Sequence, residues 1–185
     1  DMMLQLHRDW ASEYHETMAL LGLSGQRGKQ LNIAGVGGGD HLLVQKLLES
    51  GRVANIDHID IDRTFMNYMR NHPYYGRYNE RAIQSDKVST YYKDGLLFFR
   101  KRSLQKKKYD LVFFDISGLI KNFKLIHLFS SEFYMSVRQH LAEHGQLISW
   151  VYTGKNFFNT LKASMNTAGF SHYRLTQVRD RENNR

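Results

Sequence analysis

The sequence predicts an α/β fold: a Rossmann-like, doubly wound and mostly parallel sheet in a single domain. Three observations carry that prediction. Strand patterns alternate with helical ones along the chain, the order that right-handed crossovers between parallel strands require. The first strand runs into the glycine loop Gly35-Val36-Gly37-Gly38-Gly39 and then into a helix. The next three strands end at or beside an acid: Asp60, Asp94 and Asp115.

The elements follow in order. Trp10, Tyr14, Met18 and Leu21 recur at spacings of four and three, which predicts a lead-in helix over Trp10–Leu23. Gly22, Gly25 and Gly28 are expected to break it. Leu31–Val36 is a short buried strand, and His41–Ser50 a helix closed by Gly51. Val53–Ile61 is the second strand. Arg63–Asn71 is a helix ended by His72-Pro73, because proline disfavours a helical predecessor. A polar and aromatic connection, Tyr74–Glu80, leads to a third strand at Val88–Tyr92. Leu96–Arg102 is a short helix, and Tyr109–Asp115 a fourth strand built on Leu111-Val112-Phe113-Phe114. Ser130–Leu141 is a helix with Ser130 or Ser131 as cap. Gln146–Tyr152, Asn156–Ala168 and Ser171–Val178 read as strand, helix and last strand. The core thus runs over residues 30–178, and no linker or repeat marks a second domain.

With 185 residues, the chain has the size of one self-sufficient domain. Its hydrophobic fraction of 42% and aromatic fraction of 13% are those of a globular chain rather than a disordered one. No apolar run approaches the ~20 residues that span a bilayer, and no signal-like segment opens the sequence, so a cytoplasmic protein without membrane contact is expected. The lack of cysteine excludes disulfides and thiolate metal sites. The formal charge of +8 gathers at Arg100, Lys101, Arg102, Lys106, Lys107 and Lys108, and in a tail with Arg174, Arg179, Arg181 and Arg185. A solvated loop is the favoured reading of the first group. A nucleic-acid contact is the less favoured one.

In a doubly wound sheet, ligands bind at the carboxyl ends of the strands, where strand order reverses. Gly35, Gly37, Gly38 and Gly39 form a loop that permits positive φ and close approach by a ligand, here read as an adenosyl cofactor, although any tight strand-to-helix turn also uses glycine. Asp40 departs from the dinucleotide pattern, since Gly35, Gly37 and Asp40 fill its three fingerprint positions. An acid at a helix mouth repels pyrophosphate, so Asp40 argues for a cationic group there. Its alternative is a helix cap. Asp60 lies about 20 residues beyond the loop, the place of a ribose-binding acid. Asp62 is expected to cap the next helix. Asp94-Gly95 is placed to receive an adenine amino group, or to cap. Asp115 follows four apolar residues and is therefore held rigidly. The histidines show no zinc-helix spacing, so no metal is expected. His127, His140 and His144 read as surface or satisfied residues.

Taken together, these pieces resemble the catalytic domain of the spermidine synthases, the polyamine aminopropyltransferases, over about residues 9–151. Tyr14-His15-Glu16 with Met18 resembles that family's Tyr-His/Gln-Glu-Met helix. Gly37-Gly38-Gly39-Asp40 is similar to its Gly-Gly-Gly-Asp-Gly-Gly loop. Ile59-Asp60-Ile61-Asp62 resembles Val-Glu-Ile-Asp, and Asp94-Gly95 resembles Gly-Asp-Gly. Leu128-Phe129-Ser130-Ser131-Glu132-Phe133-Tyr134 is similar to Leu-Phe-Thr-Glu-Glu-Phe-Tyr. The resemblance implies a methyltransferase-type fold and transfer of an aminopropyl group from decarboxylated S-adenosylmethionine to an amine such as putrescine. By the same resemblance, Asp60 holds the ribose, Asp94 the adenine amine, His15 the nucleoside and Asp40 the aminopropyl end. Tyr14 lies beside the acceptor, and Asp115 takes part in catalysis. A homo-oligomer or a partner subunit is also implied.

The chain departs from the family at the acceptor side. Asp115-Ile116-Ser117-Gly118 stands where the family has Asp-Ser-Ser-Asp-Pro, putting Gly118 at the second aspartate, which activates the amine. Losing such a base could cost roughly 10²–10⁴-fold in rate. Leu119–Lys124 lacks the Pro-Gly-Pro pattern, and His41 follows the loop in place of glycine-glycine. The family's amino-terminal β-domain and closing strand are not expected here. Two other readings stay open: an S-adenosylmethionine-dependent methyltransferase, and a non-catalytic paralogue acting as a binding or partner subunit.

Overall fold

The computed structural model describes residues 8–27, 30–101, 106–116, 123–150 and 155–176. Its five strands are β1 (Leu31–Gly37), β2 (Val53–Asp60), β3 (Val88–Tyr92), β4 (Tyr109–Asp115) and β5 (Leu141–Ser149). They form one sheet in the order β3-β2-β1-β4-β5, and every pairing is parallel. The order reverses between β1 and β4, where Gly37 stands beside Asp115 in register.

Among the described residues, seven α-helices accompany the sheet: α1 (Arg8–Ser24), α2 (Leu42–Glu49), α3 (Arg63–Asn71), α4 (Glu80–Gln84), α5 (Gly95–Phe99), α6 (Ser131–His140) and α7 (Lys155–Thr167). Alternation along the strands divides the core in two. Ile33, Ile56, Leu111 and Phe113 pack with Met18 and Ala19 of α1 and Leu43, Val44 and Leu47 of α2. Ala34, Val36, Ile59, Val112 and Phe114 pack with Phe98 and Phe99 of α5, Phe133, Tyr134 and Val137 of α6 and Leu161 of α7. Residues of a parallel strand buried on both faces read as continuous apolar runs, which is why β4 is so plain in the sequence.

The expected limits of α3, β3 and β4 match the structure. Four expectations need correction. Gly22 does not break α1 but lies within it; a Cβ there would stand 2.6 Å from Phe113 Cζ, so the glycine lets the helix approach β4. The connection after α3 is partly helical, with a 3-10 turn at Tyr75–Arg77 and then α4. Gln45 Oε1 accepts from Ala82 N at 3.0 Å and ties α4 to α2. Strand β5 starts earlier than expected, at Leu141, with a register shift opposite Tyr109/Leu111; Val151 and Tyr152 lie outside the described residues. Finally, residues 171–176 form no strand and are exposed. Tyr173 instead donates to Asn166 Oδ1 at 2.6 Å and Phe170 O at 2.7 Å, folding the segment back on α7.

Candidate active site

The loop between β1 and α2 needs two left-handed glycines. Gly37 has φ +82 and Gly38 φ +65, and Gly38 N donates to Asp115 O at 2.9 Å across the switch point. A Cβ on Gly37 would meet that same carbonyl at 2.1 Å, so both conformation and space demand glycine. Gly35 is under no such constraint, its nearest neighbour being His58 Cδ2 at 3.9 Å.

Four functional candidates converge beside this loop. Tyr14 donates its hydroxyl to Asp115 Oδ1 at 2.6 Å. His15 Nε2 lies 3.7 Å from Asp40 Oδ2 and 3.8 Å from Asp115 Oδ2. The packing of Met18 and Ala19 against the sheet fixes α1, which carries Tyr14 and His15 to the carboxyl edge. Burial, then the charge of Asp40, raises the Asp115 carboxyl to about 6, against the opposing pull of His15 and Tyr14. Burial and the Asp115 charge push the Tyr14 phenol upward. The result is a largely buried pair of carboxylates gathered around His15 and Tyr14, one of them with its carboxyl raised by burial.

Asp40 makes the cap-type bond expected of it. Its Oδ1 accepts from Leu42 N at 2.9 Å, which satisfies an open donor of α2, while its Oδ2 faces His15. The formal cap position belongs to His41, in the left-handed region at φ 65. Asp60 sits at the end of β2, and burial raises its carboxyl; Asp62 N donates to its Oδ1 at 2.8 Å. Asp62 caps α3 through Phe65 N at 2.8 Å, as expected. Asp94 caps α5 through Leu97 N at 3.0 Å, and its Oδ2 lies 2.5 Å from His127 Nε2. Gly95 packs closely under Val36. Ser117 and Gly118 lie outside the described residues, as do 119–122.

Sequence reasoning passed over the histidines behind the loop. His58 Nε2 donates to Gly37 O at 3.0 Å, and its ring stands 4.9 Å from that of His41, edge to face. Burial lowers both, His41 to about 3. The signal available was His41 itself, a bulky residue where the family motif has glycine. Asp57 was also missed. Buried in mid-strand, it accepts from Tyr109 Oη at 2.5 Å and pairs with Lys107 Nζ at 2.5 Å. At least one lysine of the basic loop therefore anchors the core.

Fold and site together define a doubly wound α/β domain with an acidic cluster at its switch point. The chain belongs to the spermine/spermidine synthase domain family, whose sequence profile matches residues 11–175. It is 26% identical over 145 residues to the polyamine aminopropyltransferase of Saccharolobus solfataricus, a match covering 74% of this chain and 46% of that protein. The polyamine aminopropyltransferase of Alkaliphilus metalliredigens is 28% identical over 118 residues, covering 64% of this chain and 39% of the relative. The chain thus spans about half the length, or less, of these curated relatives. Among solved structures, spermidine synthase from Thermotoga maritima superposes with a TM-score of 0.70 at 18% identity, over 84% of this chain and 50% of that one. Human methyltransferase-like protein 13, in complex with SAH, superposes at 0.65 with 20% identity, over 82% and 71% of the two chains. At these identities the superpositions establish the shared fold.

Proposed function

We propose that this chain binds decarboxylated S-adenosylmethionine and serves aminopropyl transfer to a small amine such as putrescine in the cytoplasm. The observation that carries the reading is the convergence of Asp40 and Asp115 on His15 and Tyr14 beside the glycine loop. Two largely buried carboxylates favour a cationic group and disfavour another carboxylate. The decarboxylated donor presents an ammonium there, whereas S-adenosylmethionine adds a negative charge. In this reading the nucleoside lies along the glycine loop, with Asp60 for the ribose hydroxyls and Asp94 for the adenine amine.

In this reading the amine nitrogen attacks the aminopropyl carbon bound to sulfur, that carbon–sulfur bond breaks, and methylthioadenosine leaves. Asp40 holds the ammonium end, and Tyr14 steadies Asp115. Asp115, with its carboxyl near 6, accepts the proton that the attacking amine sheds. Placement supplies most of the rate.

A second reading is favoured by Gly118, which stands where the family's second aspartate would be. It makes the chain a subunit that binds the nucleoside without turning it over, alongside a second copy or another partner. Calorimetric titration with decarboxylated S-adenosylmethionine, S-adenosylmethionine and methylthioadenosine separates the possibilities. Tightest binding of the decarboxylated donor, followed by turnover with putrescine, supports the transferase. Binding without turnover supports the subunit. Preference for S-adenosylmethionine points to a methyltransferase, and failure to bind any of the three removes the nucleoside site.

A further inference from the structure

Asp94 is the acid on which the nucleoside reading places the adenine amine, yet both its oxygens are partnered. Oδ1 accepts from Leu97 N at 3.0 Å, the cap of α5, and that bond can persist with a ligand in place. The partner of Oδ2 is of another kind. His127 Nε2, 2.5 Å away, comes from the 3-10 segment Phe123–Phe129, 33 residues along the chain. The His127 side chain is 40% exposed and Asp94 only 14%. A solvent-facing ring therefore covers the one oxygen of a largely buried carboxylate that the helix cap leaves over.

We propose that His127 occupies the base-amine position at Asp94 and thereby sets the base selectivity of the site. This rests on the nucleoside-binding reading above. An imidazole N–H and the exocyclic amine of adenine offer a carboxylate the same interaction, one donor to one oxygen. Adenine must displace the ring, so the affinity seen is reduced by the fraction of molecules in which His127 is in place. The ring also shields the carboxylate from a base bearing a carbonyl at the same position. Discrimination between amino and oxo bases is consequently weaker than a bare Asp94 would give. His127 acts here as a positioning and selectivity residue.

The test is calorimetric titration of the full chain with methylthioadenosine and with its 6-oxo counterpart, methylthioinosine. Wild type, His127→Ala and His127→Gln are compared. Removal of the ring should tighten methylthioadenosine roughly tenfold, the scale of one hydrogen bond to a charged group. It should also widen the preference over methylthioinosine. Gln retains an N–H donor and should stay near wild type in both respects, an outcome that a loss of packing would not produce. Unchanged affinity in His127→Ala overturns the inference, and weakened affinity overturns it by making the ring a direct ligand of the base. If no variant binds either nucleoside, the nucleoside reading falls and this inference with it.

Discussion

The Tyr14 hydroxyl and the Asp115 carboxylate meet at 2.6 Å although 101 residues separate them in the chain. One comes from the lead-in helix and the other from the end of β4, the strand beside β1 at the switch point. Their bond fastens α1 over the switch point and gives a buried carboxylate a donor. Tyr14→Phe keeps the ring and removes the donor. We expect a loss of roughly 1.5–3 kcal/mol in denaturant unfolding, the range for hydrogen bonds to charged groups. We also expect Asp115 to titrate higher than in wild type, read by carbon NMR of its carboxyl. An unshifted carboxyl would show that the bond does little to hold its charge.

Asp115 makes stability depend on pH in a direction opposite to that of most carboxylates. Its folded value is raised to about 6 from 3.8, so the folded state holds a proton that the unfolded state releases. That contribution is present at pH below about 4 and is lost as pH rises to about 6. Two units correspond to roughly 3 kcal/mol. Asp115→Asn keeps an acceptor for Tyr14 and escapes the loss. It should exceed wild type in stability by roughly that amount at pH 8 and by little at pH 4. Equal stability curves would contradict the buried setting of the carboxyl.

His41 contributes with the other sign. Burial lowers it to about 3 from 6.5, so stability is full above pH 6.5 and falls on acidification, when only the unfolded state binds the proton. The slope is about 1.4 kcal/mol per pH unit. Asn tolerates the left-handed conformation that His41 adopts at φ 65. His41→Asn should therefore gain about 2 kcal/mol on wild type between pH 6.5 and pH 5, measured by urea unfolding at the two values. A constant difference would mean that the ring reaches water.

Lys107 tests whether the basic loop serves the fold. Lys107→Ala leaves the Asp57 carboxylate buried, with Tyr109 its remaining donor among the described residues. We expect a loss of roughly 1–3 kcal/mol, below the range for a fully buried pair because the lysine is partly solvated. Asp57→Asn in the same background should recover part of it. Additive losses in the double-mutant cycle would dissolve the pair.

Much of this fold was legible because strands and chemistry coincide in the chain. Leu111 to Phe114 running into Asp115 marks both a buried strand and its carboxyl end, and Pro73 marks the end of α3. What escaped depends on neighbours that distance along the chain conceals. Alternation over Ser171–Val178 looks like a strand until Tyr173 is seen bonded back to Asn166 and Phe170. Gly22 looks like a break until Phe113 is beneath it. Asp40, Asp60, Asp94 and Asp115 could each be named as candidates from strand ends. The partnership of Asp94 with His127, and of His58 with Gly37 O, needed the sheet order and the cap geometry.

The central claim is that Asp40 faces a cationic group, and one comparison tests it most directly. Wild type and Asp40→Asn are titrated calorimetrically with decarboxylated S-adenosylmethionine and with S-adenosylmethionine. The account predicts that wild type prefers the decarboxylated donor and that Asp40→Asn loses the preference while still binding methylthioadenosine. A preference unchanged in Asp40→Asn, or one for S-adenosylmethionine in wild type, would contradict it.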